Sequence, residues 1–288
     1  MNASGLGLYD QAATDSAAVV IRRYSTSFAW ASRLLPAPIR TDIARIYGLV
    51  RVADELVDGP AGDAGVGPEE RRVLLDRLEA ETARAVASGY STNLVVHAYA
   101  LAARAHGIGA DLYGPFFAAM RSDAEAAELD TEALRDYVHG SAEVVGLMCL
   151  AVFESGRERS EEERAVLREG AVRLGAAFQH VNFLRDYAAD SRELGRRYVP
   201  GAEEGLTEDA KAAALAGIRD DLRAADAAIP LLDASCRPAV WAARTLFGEL
   251  ADRLARTPAQ VVARERVRVP DPVKAGILIR ALARRAGW

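Results

Sequence analysis

Apolar residues recur every three or four positions along nearly the whole chain, and no segment shows the strict alternation of a half-buried strand. The pattern predicts an all-α fold, and 288 residues allow one large domain or two small ones. Proline and glycine gather where the periodicity lapses. A first helix is expected over about Ala12–Ser32, stopped by Leu35-Pro36-Ala37-Pro38, and a second over Ile39–Val57, ended by Gly59-Pro60. Further helices follow at about Glu69–Ser88, Asn93–His106, Leu112–Glu125 and Thr131–Phe153. A long run begins near Glu161 and meets no proline before Pro200, and the tail reads as helices over Glu208–Ala228, Ser235–Arg256 and Pro272–Ala286. Gly-rich Ala61–Pro68 is expected to be a mobile connector.

Two places break the amphipathic logic. Asp186 and Asp190 stand four apart on the long helix, so their carboxylates are neighbours on one face, an arrangement that weakens an isolated helix. Asp54-Glu55-Leu56-Val57-Asp58 repeats the arrangement on the second helix. Each pair continues into a polar stripe: Tyr47, Arg51, Asp54 and Asp58 on the second helix, and Gln179, Asn182, Asp186 and Asp190 on the long one. Oxygen-bearing side chains on a face that should pack are costly, about 1–3 kcal/mol for each buried group left unpaired. Carboxylates are the ligands Mg²⁺ prefers, and it commonly binds one or two of them together with phosphate oxygens. Two such faces turned toward each other would clamp a diphosphate.

Composition narrows the alternatives. A net charge of −5 over 288 residues gives no global footprint for nucleic acid. Cys149 and Cys236 have no partner at metal-ligand spacing, which fits reduced thiols in a cytoplasmic protein. The N-terminus lacks a signal-peptide pattern, and no uninterrupted apolar stretch is expected to cross a bilayer. His97, His106, His139 and His180 show no metal-binding spacing, and neither a dinucleotide fingerprint nor a P-loop is present. Arg22-Arg23-Tyr24-Ser25-Thr26-Ser27-Phe28 offers a second wall for phosphate oxygens, and Gly195-Arg196-Arg197-Tyr198 is a basic turn suited to an anion. Asp123 reads as part of a solvated turn. Gly140-Ser141-Ala142 permits close helix approach or leaves room for a bulky ligand, and Glu143 beside it reads equally as a cavity wall or as surface. The terminal helix sets Lys274, Arg280 and Arg284 around Ile277, Leu278 and Leu282, either a solvated helix or a contact with anionic lipid.

In combination and order, Tyr24-Ser25-Thr26-Ser27-Phe28, the segment Ile46–Asp58, Val145-Gly146-Leu147-Met148, the segment Asn182–Asp190 and Gly195–Pro200 resemble the squalene/phytoene synthase family over nearly the whole chain. The resemblance implies the all-α isoprenoid synthase fold, a single-domain helical bundle with a central cavity over residues 1–288, and head-to-head condensation of two allylic prenyl diphosphates. It also implies Mg²⁺, with Mn²⁺ as a substitute, on Asp54, Asp58, Asp186 and Asp190, supported by Asn182 and Glu55. Ser25, Ser27, Arg51, Arg185 and Arg266 would hold diphosphate oxygens, while Tyr47, Gln179, Arg197 and Tyr198 would line the site. Among the family's activities the motifs point to formation of phytoene from geranylgeranyl diphosphate. The alternatives are squalene synthesis, with NADPH as reductant, or dehydrosqualene synthesis from farnesyl diphosphate, a terpene cyclase, or a non-catalytic assembly factor. Three departures bear on chain length and product: Glu55 where an aspartate is common, Glu143 where a small residue is common, and Phe247 where some relatives carry tyrosine.

Overall fold

The chain is described by a computed structural model covering residues 5–25, 27–124, 130–193, 198–202 and 204–285. Its helices are, in order, α1 (Gly5–Tyr24), α2 (Ser27–Ser32), α3 (Ala37–Asp58), α4 (Pro60–Asp63), α5 (Pro68–Ser88), α6 (Leu94–His106) and α7 (Ala110–Ala124). There follow α8 (Thr131–Val138), α9 (Val144–Phe153), α10 (Glu161–Glu193), α11 (Glu208–Asp226), α12 (Arg237–Arg256), α13 (Ala259–Val262) and α14 (Asp271–Arg285). A π-helical turn at His139–Glu143 joins α8 to α9. No strand occurs among the described residues.

Local chemistry explains the boundaries. Asn93 caps α6, its Oδ1 accepting from the backbone N–H of Val95 at 3.1 Å and Val96 at 3.4 Å, and Asp130 caps α8 in the same way. α6 ends at Gly107, whose φ of 66° suits a residue without a Cβ. The single helix expected over Ala12–Ser32 is instead two, parted after Tyr24. The connector after α3 is less loose than expected, since it contains α4, and Arg71 Nη1 donates to the Val57 carbonyl at 3.0 Å.

α3 packs against α1, α6, α7 and α9, while α10 packs against α9, α11 and α12. Ile46, Leu49, Tyr99, Phe116, Phe117, Met148 and Leu184 are fully buried at these contacts, each worth roughly 1.5–3 kcal/mol of transfer free energy. α1 is pinned by His97, which is fully buried, with Nε2 2.7 Å from Asp10 Oδ1 and Nδ1 accepting from the Ser91 N–H at 3.3 Å. By length and composition the Thr131–Phe153 stretch is apolar enough to cross a membrane, contrary to the expectation of no such stretch. Here it is interrupted by the π turn, and Val144, Leu147, Met148 and Val152 lie in the core.

Backbones meet closely around that turn. A Cβ on Gly140 would lie 2.2 Å from the Pro115 carbonyl oxygen, one on Gly175 2.6 Å from the Ala142 carbonyl oxygen, and one on Gly146 2.6 Å from the Ala171 carbonyl oxygen. Neither backbone can yield cheaply. Gly140→Ala is therefore expected to lose about 1–3 kcal/mol, read as a fall in Tm of about 2–4 °C per kcal/mol. Gly217→Ala on α11, where an added methyl meets nothing within 4 Å, should instead gain up to about 1 kcal/mol. Thermal unfolding of both variants gives opposite signs if close approach, rather than glycine's flexibility, is what α8–α9 needs.

Candidate active site

α3 delivers the first polar wall. Arg51 Nη1 donates to Asp54 Oδ2 at 2.5 Å, and its Nη2 pairs with Glu55, as steps of three and four on one helix allow. The guanidinium also lies over the Tyr24 ring, 4.9 Å from its centroid. One turn back, Tyr47 is hydrogen-bonded to Ser25. Burial pushes the Tyr47 phenol above its ordinary range, opposed by the Arg51 charge, so it stays a proton donor at neutral pH.

The second wall is the C-terminal half of α10. Asp186 accepts from Arg185 Nε at 3.0 and 3.1 Å and pairs with Arg185 Nη2, and Arg266 Nε reaches it from beyond α13 at 2.9 Å. Burial and the neighbouring Arg185 charge lower the Arg266 pKa, while Asp186 and Asp190 oppose that shift. Asn182, on the same stripe, has a buried Oδ1 with no hydrogen-bond partner.

Both walls open on one apolar cavity of about 320 Å³, which Tyr47 and Val50 of α3 share with Asn182 and Phe178 of α10. It follows α10 down through Gly175, Ala171 and Gly170 to Leu167, with α9 and α12 opposite. Phe178 and Phe247 stack inside it, centroids 3.8 Å apart and planes at 17°. Phe178 was invisible in the sequence, being one more member of an apolar stripe.

Several expectations resolve here. Asp123 is not in a solvated turn: it is 3% exposed and accepts from Tyr198 at 2.5 Å and Tyr137 at 2.7 Å. Tyr198 is thereby placed in the core, its ring stacked on Phe183 and Tyr137. Glu143 pairs with His139 at 2.8 Å and is not among the cavity-lining residues. Gln179 is half-buried on its stripe, and Asp190 lies within electrostatic reach of Arg266. Arg197 and the side chains of Ser27 and Asp58 lie outside the described residues.

The donor set suits a hard cation. Among the described residues no three acidic or imidazole groups converge at metal-binding distance, because the carboxylates are engaged by arginines. Mg²⁺ does not require three, since it takes one or two protein carboxylates and completes its shell with phosphate and water. Asn182 Oδ1, buried on the same stripe without a hydrogen-bond partner, is of the oxygen type that such a cation would take.

A helical bundle closed around an apolar cavity with an acid and guanidinium mouth is the architecture of the isoprenoid synthases. A ligand-bound dehydrosqualene synthase superposes with a TM-score of 0.80 over 98% of this chain and 99% of that one, at 19% identity. The squalene/phytoene synthase family model matches residues 21–272, and the chain belongs to that family of prenyltransferases. It is 31% identical over 183 residues to a 15-cis-phytoene synthase of Paracoccus sp. (strain N81106), covering 63% of this chain but only 58% of that protein. It is 30% identical over 270 residues to a phytoene synthase of Cereibacter sphaeroides, covering 84% of this chain and 72% of the relative.

Cys149 lines the cavity, and burial pushes its thiol up to about 12. An unfolded thiol titrates near 8.5, so the folded chain retains this proton where the unfolded chain has lost it. Stability from this group is full below about pH 8.5 and falls as pH rises toward 12. Iodoacetamide at pH 8 should leave Cys149 unmodified in the folded protein and alkylate it in denaturant, as read by peptide mass spectrometry.

Proposed function

We propose that the chain condenses two geranylgeranyl diphosphates head to head, through a cyclopropylcarbinyl diphosphate, to phytoene with release of diphosphate. The observation that carries this reading is the juxtaposition of two acid and guanidinium walls with one long apolar cavity. The names of the relatives at about 30% identity support phytoene over squalene.

Arg51, Arg185 and Arg266 are the groups that would hold diphosphate oxygens, with Ser25 and the Tyr47 hydroxyl adding donors at the mouth. Each of these arginines already faces a carboxylate, so the mouth presents balanced charge rather than a bare cation cluster. Mg²⁺, or Mn²⁺, on Asp54, Glu55, Asp58, Asn182, Asp186 and Asp190 would supply charge neutralisation for the departing diphosphate. Below the mouth, Val50, Val145, Leu174 and the Phe178–Phe247 stack exclude water from the allylic cation formed when the C1–O bond breaks. The second chain's double bond attacks that cation, and loss of one proton closes the cyclopropane of an intermediate that still carries the second diphosphate. Breaking of that second C–O bond releases the second diphosphate and leaves a cyclopropylcarbinyl cation. After rearrangement the last cation loses a proton, with diphosphate as the acceptor, so this route consumes no NADPH.

Contact with an anionic lipid surface belongs to the same reading, because the product is a hydrocarbon. α14 leaves Ile279 and Leu282 exposed beside Arg280 and Arg284. Co-sedimentation with phosphatidylglycerol vesicles should be lost on deleting residues 271–288, and binding unchanged by the deletion would remove α14 from the account.

The chemistry is tested with pure protein, Mg²⁺ and C15 or C20 allylic diphosphate, with and without NADPH, by identifying the hydrocarbon. Phytoene from the C20 substrate without NADPH is expected. The double variant Asp186→Ala, Asp190→Ala should lower diphosphate release by at least about 100-fold; turnover that survives it would rule out the clamp.

A further inference from the structure

Tyr24 is the last residue of α1, and 49% of it is exposed, so its ring adds little to the core. What the ring covers is Arg51, whose guanidinium carbon lies 4.9 Å from the centroid. The packing of α1 on α3 builds this meeting in. The two helices run in the same direction: Arg45 Nη2 donates to Thr14 Oγ1 at 2.7 Å, and three residues further along each helix a Cβ on Gly48 would lie 3.2 Å from that of Ala17. Ile21 is buried, and its carbonyl accepts from the Ser25 N–H at 3.1 Å, so the last turn of α1 is wound right up to Tyr24. Ser25, hydrogen-bonded to Tyr47, then fastens the end of α1 to α3 one turn before Arg51.

The other partners of Arg51 are acids. Its Nη1 donates to Asp54, its Nη2 pairs with Glu55, and its Nε is buried without a hydrogen-bond partner. Asp54 and Glu55 are carboxylates that the proposed function assigns to a divalent cation. Once they turn to that cation, both ion pairs of Arg51 are given up together, and a long side chain with several rotatable bonds loses the contacts that fix it. Immobilising such a side chain again when substrate arrives weakens binding. The Tyr24 ring is a partner of a different kind. Its face presents no oxygen for a hard cation to take, so the contact outlasts the exchange at the carboxylates.

We propose that Tyr24 is a positioning residue, its ring holding the Arg51 guanidinium at the mouth while the diphosphate binds. This rests on the diphosphate binding proposed above. Tyr24 acts through the face of its ring and through Arg51; its hydroxyl has no part in the role. Because the ring is half in water, the effect is modest, about 2–5-fold in affinity, the range of an exposed contact between a cation and an aromatic ring.

The test measures binding of inorganic diphosphate in the presence of Mg²⁺ by isothermal titration calorimetry, with thermal unfolding and turnover of C20 diphosphate alongside. Full-length wild-type protein is compared with Tyr24→Leu, Tyr24→Phe, Arg51→Met and the double variant Tyr24→Leu, Arg51→Met. Tyr24→Leu is expected to raise the Kd about 2–5-fold and to lower kcat/KM by the same factor, with Tm within about 2 °C of wild type. Tyr24→Phe, which keeps the ring, should bind as wild type does. In the Arg51→Met background, Tyr24→Leu should cost nothing further, because the partner it acts through is gone. A wild-type Kd in Tyr24→Leu overturns the proposal. So does a loss in Tyr24→Phe equal to that in Tyr24→Leu, which would assign the effect to the hydroxyl, or an undiminished loss in the double variant. A larger fall in Tm with Tyr24→Leu overturns it too, by assigning the ring to the packing of α1. Wild-type protein that neither binds diphosphate with Mg²⁺ nor releases it from C15 or C20 substrate overturns the parent reading and this one together, whereas wild-type binding matched by Tyr24→Leu overturns this one alone.

Discussion

Asp186 is held from two sides, by Arg185 on its own helix and by Arg266 from the far end of the chain. That pairing makes the rest of the mouth tolerable. Carboxylates four apart on a helix repel, and beside an apolar cavity they are poorly screened. A guanidinium offers the planar fork that carboxylates accept best. The same solution recurs on α3, where Arg51 bridges Asp54 and Glu55. Because Arg266 lies beyond α13, the second wall is complete only when the C-terminal segment has packed. Assembly of the mouth is thus coupled to closure of the bundle.

The cavity imposes the opposite demand, for space in a core that otherwise fills itself. Glycines on α9 and α10 draw backbones together at Gly146 and Gly175, and the volume not occupied by side chains there is left to the cavity wall. At Gly140 the approach is close enough to wedge the π turn against α7. One element therefore serves both packing and the cavity.

Much of this was legible in the sequence, for identifiable reasons. The extent of most long helices followed from periodicity, although the first expected helix proved to be two and the stretch 131–153 is interrupted. The two acidic pairs were visible because like charges at helical spacing contradict an apolar face. What escaped depended on contacts between distant residues. Asp123 looked solvated because its two phenol partners lie 14 and 75 positions away. Tyr198 looked like a site residue because its neighbours in sequence are basic, while its ring belongs to a core stack with Tyr137 and Phe183. The π turn left no mark on the hydrophobic period, which continues smoothly through Gly140-Ser141-Ala142. Its only trace was the cluster of small residues.

The charge balance of the mouth decides how a diphosphate can bind. Among the described residues, Arg51, Arg185 and Arg266 face Asp54, Glu55, Asp186 and Asp190, so the guanidinium charge is already answered by carboxylate. A bare diphosphate arriving there would gain contacts with the arginines only by displacing the acids, which would then stand unpaired next to the new anion. Divalent cations remove the conflict. Bound to the carboxylates, such ions would free the guanidinium groups to turn toward phosphate oxygens and would add positive charge of their own. On the proposed function the acids and arginines would act as two halves of one exchange, with the metal a condition for substrate binding as well as for ionisation. The apolar cavity favours the same order from the other side: below Asn182 its lining is largely aliphatic and aromatic, so a diphosphate is better held at the mouth than along the cavity.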